Sequence, residues 1–124
     1  MNSTCSCKEY TYYTIIPLSA YGDGTGANAG YVGVAEMWGY YIDARLVKEE
    51  FGTFNFNSRR DLISGWIPAK INKRVVDEAN YTIKDIFSSL HSTVNSIPKL
   101  KNEYNASVGK NRSTVNQIFE EYGY

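Results

Sequence analysis

Apolar residues run almost unbroken from Tyr31 to Ile42, and Glu36 is the only charged position among them. The stretch continues to Phe51 and stops at Gly52, with Lys48 close to its end, which predicts one long helix from about Tyr31. Ahead of it, Tyr21–Gly30 (YGDGTGANAG) packs glycines with Asp23 and Asn28 into a loop. Tyr10–Leu18 is ambiguous: Tyr10, Tyr12, Thr14 and Ile16 alternate like a strand, whereas Tyr12, Tyr13, Ile15 and Ile16 serve a short helix equally well. Pro17 ends or bends either one.

Four shorter helices are predicted downstream. A loop through Asn55–Ser64 carries Arg59, Arg60 and Asp61 as a solvated turn. A helix then starts around Trp66 and Ile67, with Pro68 in its first turn, and runs to about Ala79. Thr82 with Asp85 forms a capping pair for Ile83–Leu90, and Ser96 with Pro98 opens a helix to about Tyr104. Thr114 with Gln117 caps the last, through Glu121, and Tyr122–Tyr124 closes against the core. The expected fold class is mainly α, with residues 1–9 a disordered or adventitious start and residues 10–124 one helical domain.

Within the long helix, Gly33, Glu36, Tyr40 and Asp43 share a face, with Gly39 beside them. Two glycines inside a helix give up roughly 1 kcal/mol each relative to alanine, so a close approach near the carboxylate is expected. An ionised glutamate among apolar neighbours calls for a cation, a metal or hydrogen-bond donors. Either Glu36 lies in a packing seam, paired with an arginine or with tyrosine hydroxyls, or it faces a ligand.

Composition narrows the field. The 124 residues suffice for one domain with a real core, and 13 basic against 13 acidic residues give no electrostatic case for nucleic acid or an anionic membrane. No apolar run approaches the about twenty residues of a membrane-spanning helix. The eleven tyrosines read as core edge and surface. N-x-S/T triplets at Asn2, Asn80, Asn105 and Asn111 read as turn and cap residues. Cys5 and Cys7, one residue apart, read as a free terminal pair. The lone histidine, His91, follows a predicted helix and reads as its C-terminal cation. No Ser-His-Asp or Cys-His arrangement and no usefully spaced carboxylate pair stands out, and the glycine-rich loop lacks the lysine and preceding strand of a phosphate cradle.

YGDGTG at Tyr21–Gly26, YVGVAEMWGYY at Tyr31–Tyr41, IKDIFSSL at Ile83–Leu90 and VNQIFEEYGY at Val115–Tyr124 resemble, in the same order, the C-terminal half of the zincin-like metallopeptidases found as secreted lipoproteins in Bacteroidetes-type bacteria. The likeness covers roughly residues 10–124; Ser64–Val76 matches only loosely. It implies a half-zincin, a hydrolase family of the cell envelope or exterior, and a zinc cofactor. In that family an H-E-x-x-H helix supplies two histidine ligands and the catalytic glutamate, and the glutamate of the later helix is the third ligand. By resemblance that ligand is Glu36, and Gly33, Gly39, Tyr40 and Asp43 line its site.

The sequence departs from the family in having no H-E-x-x-H, and its one histidine lies downstream of Glu36. A catalytic zinc needs three protein ligands, an open position and a base. The expectation is therefore a fragment or shortened relative, with no catalytic residue of its own, no tightly bound zinc and no activity alone; the unmatched start fits a late beginning within a longer frame. A peptide or protein substrate applies only to a completed site. The competing expectation is a helical protein-binding or self-assembly module, in which Val34, Met37, Trp38 and Tyr41, left short of partners, are covered by another copy or by the missing N-terminal half.

Overall fold

The computed structural model describes residues 23–52, 62–63 and 65–124. The ambiguous Tyr10–Leu18 segment, Cys5, Cys7 and the Arg59–Asp61 turn lie outside the described residues. Helix α1 spans Ala29–Phe51. Strands β1 (Leu62–Ile63) and β2 (Ile67–Pro68) pair antiparallel. Helices α2 (Ile71–Ala79), α3 (Ile83–Ser89), α4 (Ile97–Glu103) and α5 (Arg112–Glu121) follow, and a π-helical turn at Tyr104–Val108 extends α4. The mainly helical class, with one long helix and shorter ones, is the expected architecture.

Local chemistry explains most boundaries. α1 stops at Gly52, which adopts φ 77° and donates its N–H to Lys48 O at 2.7 Å. That left-handed turn is open to glycine without a Cβ penalty. α3 begins with a complete capping box: the Thr82 hydroxyl accepts from Asp85 N at 3.1 Å, and Asp85 Oδ2 accepts from Thr82 N at 2.9 Å. Ser96 caps α4 by accepting from Lys99 N at 3.2 Å, with Pro98 in the first turn where no helical donor is lost.

Two helix starts differ from the sequence reading. Trp66, Ile67 and Pro68 do not open α2; Ile67 and Pro68 pair with Ile63 and Leu62 across a turn in which Gly65 takes φ 79°, and the helix begins at Ile71. The last helix starts at Arg112, ahead of the Thr114–Gln117 pair, because Gly109 (φ 69°) and Asn111 (φ 47°) reverse the chain. The Asn111 amide is used elsewhere: it donates to Ala79 O at 2.9 Å and satisfies a carbonyl at the end of α2.

The core lies between α1, α2, α4 and α5. Met37, Ile67, Ile71, Val75, Ile86, Leu100, Tyr104, Val115 and Phe119 are inaccessible to solvent. Val34 and Tyr41 are buried and Trp38 packs partly against the same cluster. The expectation that Val34, Met37, Trp38 and Tyr41 lack partners is thus corrected, since α2, β2 and α4 cover that side of α1. Several tyrosines enter the core outright. Tyr104 donates to Asn72 Oδ1 at 2.6 Å, and its carbonyl accepts both Tyr81 Oη at 2.9 Å and Gly109 N at 2.9 Å. These bonds anchor the π turn, and Tyr81 and Phe119 meet the Tyr104 ring edge-on. Tyr124 closes the chain as expected, donating its hydroxyl to Trp66 O at 2.7 Å.

The α3 cap carries a pH dependence. Asp85 also accepts from Lys110 Nζ at 2.7 Å. That bond first, and the Thr82 N–H next, hold its carboxyl below the usual range. A carboxyl depressed on folding stabilises the fold above its unfolded pKa, and the contribution is lost as pH falls through the folded value. Urea unfolding between about pH 5 and pH 2 is expected to show Asp85→Asn losing less stability on acidification than the parent chain. Thr82→Ala is expected to cost about 1 kcal/mol at neutral pH.

Candidate functional site

α1 carries apolar residues on its exposed side as well as on its buried side. Its inner side carries Val34, Met37 and Tyr41, and Glu36 sits at the border, half-buried. Helical spacing does gather Glu36, Tyr40 and Asp43 along one line; Tyr40 is 38% exposed and Asp43 is exposed. Glu36 forms no hydrogen bond or ion pair with any described residue, so the paired-seam alternative is not realised among them.

The two glycines beside it have different roles. Gly33 is buried beneath the Trp66 indole, where an added Cβ would lie 2.7 Å from Cζ3 and 2.9 Å from Cη2 of the ring. It admits a tryptophan, which fills the space over Gly33. Gly39 has none of the described residues within 4 Å of the corresponding position and is exposed. The close approach expected near the carboxylate therefore exists on the Gly33 side alone, and its occupant is a core side chain.

His91 is placed differently from the expected helix-end cation. Leu90 terminates α3, and the imidazole reaches across to α4: Nε2 lies 3.0 Å from Glu103 Oε1 and Nδ1 3.0 Å from Thr93 Oγ1. The Ser107 hydroxyl donates to the same Glu103 oxygen. Those bonds, Ser107 first and His91 second, keep the Glu103 carboxyl below its ordinary range. Ser107 donates to the carboxylate and not to the imidazole, so His91 and Ser107 do not form a histidine–serine pair. The cluster ties the loop after α3 to α4.

A cleft of about 440 Å³ between α1 and α2 is lined by Tyr41, Arg45, Lys48, Glu49, Lys73, Val76 and Asp77. Its charges are organised by single-helix pairs, Arg45 with Glu49 at 3.4 Å and Lys73 with Asp77. Arg45 also donates to Tyr41 Oη at 3.3 Å. The i,i+4 pairs are legible in the sequence, but nothing there says that the two helices set them face to face.

Among the described residues no group of three or more His, Cys, Asp or Glu side chains is arranged to hold a metal ion. Glu36 offers a single carboxylate, so the described residues do not fit a complete zinc centre. None of the described helices is long and apolar enough to cross a membrane. No protein-family model, curated protein or solved structure matches the chain.

Proposed function

We propose that this chain is a fragment or shortened relative of a zincin-like zinc metallopeptidase, presenting Glu36 as the carboxylate that would serve as third metal ligand and having no peptidase activity alone. The observation that carries this reading is the half-buried Glu36 carboxylate with no hydrogen bond or ion pair among the described residues. A structural carboxylate at such a position is normally paired, because desolvation without a partner costs free energy. The remaining ligands and the base would come from an H-E-x-x-H helix that this sequence lacks. By the same reading the completed protein acts on a peptide or protein at the cell envelope or outside the cell.

Zinc calorimetry on the chain alone is expected to give binding no tighter than about micromolar, and a casein or peptide-library assay no hydrolysis. Adding a synthetic helix that carries H-E-x-x-H is expected to tighten zinc binding, and Glu36→Gln to abolish the gain. Tightening that survives Glu36→Gln would remove Glu36 from the ligand set. Stability provides a second check: with no partner to lose, Glu36→Leu is expected to leave urea stability unchanged or raise it by up to about 1 kcal/mol. A loss beyond about 1 kcal/mol would indicate a structural carboxylate.

A second reading, a helical protein-binding module, is favoured by the outer face of α1, where Leu46 is 59% and Phe51 74% exposed.

A further inference from the structure

The outward face of α1 is both apolar and acidic. Glu36, Asp43 and Glu50 recur at seven-residue spacing, two helical turns or about 10.5 Å apart, and therefore form one row along the helix. Tyr40 and Val47 flank it on one side and Gly39 and Leu46 on the other, with Phe51 at the end; Tyr40, Leu46, Val47 and Phe51 are exposed large hydrophobics. None of the three carboxylates makes a hydrogen bond or ion pair with a described residue. The basic residues of α1 lie off this row: Arg45 and Lys48 line the cleft toward α2.

This pattern selects among occupants. A second copy of the same helix would set carboxylate against carboxylate in parallel alignment, and an antiparallel pair centred on Asp43 would bring Glu36 onto Glu50. Like charges in contact disfavour either arrangement. The anionic row likewise repels an acidic membrane surface. A helix with lysine or arginine at every seventh position and leucine-like residues between would satisfy both features, placing cations on the row and apolar side chains over Leu46, Val47 and Phe51.

We propose that the outer face of α1 is a docking surface for a basic amphipathic helix of a partner protein. This goes beyond the zinc reading and does not depend on it: recognition is by charge and apolar contact, so histidine-free probes in chelator isolate it.

Two synthetic helix-forming peptides of about three heptads serve as probes, identical except for lysine or glutamate at every seventh position, with leucines three and four residues on. Fluorescence anisotropy against the whole chain in EDTA is expected to show saturable binding of the lysine peptide, weakened about tenfold by Asp43→Lys/Glu50→Lys and by Leu46→Ser/Phe51→Ser. The charge-reversed variant should in turn prefer the glutamate peptide, a gain that misfolding cannot produce. Binding that is equal for both peptides, or that is unmoved by charge reversal, would overturn the proposal. So would no binding up to about 1 mM, or a dimer in sedimentation that Leu46→Ser/Phe51→Ser dissolves. The zinc reading would stand or fall separately, on the metal titration.

Discussion

Alanine at Gly30 is expected to destabilise the chain by about 3 kcal/mol or more, the upper end of overpacking effects. Gly30 lies in the first turn of α1, against the loop that joins α3 to α4. An added Cβ would fall 1.9 Å from Asn95 O, 2.9 Å from Asn95 C and 3.1 Å from Ser96 Cα. These are backbone atoms, held by the turn in which Val94 N donates to His91 O at 2.8 Å and by the Ser96 cap of α4. No rotamer change relieves the contact, so either α1 or the loop must shift. Tyr31 Oη, which donates to Ser92 O at 2.9 Å in the same loop, would move with it.

Gly39→Ala provides the control, because it lies in the same helix with no described residue where the methyl would go. There the better helix propensity of alanine is expected to raise stability by about 0.5–1 kcal/mol. Urea unfolding of both variants at constant slope reads the two signs directly. A neutral Gly30→Ala would mean that the start of α1 does not press on Asn95.

Replacing Arg74 with methionine is expected to cost about 2–3 kcal/mol. The guanidinium, on the inner side of α2 at 8% exposure, binds Glu78 through Nε (2.6 Å) and Nη2 (3.1 Å) and reaches Glu121 on α5 through Nη1 (2.6 Å). Its Cζ stands 5.9 Å from the centre of the Tyr122 ring. Glu78 first, and then Glu121 and Tyr122, raise its pKa above the ordinary arginine range against the opposing effect of burial. Breaking a fully buried pair costs about 3–5 kcal/mol, but Glu78 and Glu121 keep 39% and 38% of their side chains in solvent and would rehydrate.

Arg74→Lys should recover less than half of the loss, because an ammonium cannot reproduce the planar fork on Glu78. A double-mutant cycle with Glu121→Gln isolates the link between helices and is expected to give a coupling of about 1 kcal/mol. Zero coupling would mean that the Arg74–Glu121 contact adds nothing to holding α2 against α5.

Helix identity was legible wherever a local device specifies it. The Thr82–Asp85 box, the Ser96 cap with Pro98 and the Gly52 stop are contacts within a few residues, and each lies where its residue types indicate. The starts of α2 and α5 were not, because the deciding interactions are non-local. Ile67 and Pro68 are drawn into pairing with Leu62 and Ile63, and Asn111 turns its amide to Ala79, thirty-two positions away. His91 is a similar case: its position suggested a helix terminus, but Glu103 on another helix holds its ring.

The candidate site divides the same way. Sequence alone determined that α1 is a long helix, that Glu36 is the lone charge in its apolar half, and that Glu36, Tyr40 and Asp43 share a line, since these follow from composition and the helical period. Only the tertiary structure decided which side of that helix is covered. It put Val34, Met37 and Tyr41 against α2, β2 and α4, laid Trp66 over Gly33, and left Gly39, Asp43 and Glu50 facing outward with Glu36 half-buried at the border. The physical reason is that periodicity fixes angles around one axis, whereas burial depends on what other segments bring to that axis, and those contacts join residues distant in the chain.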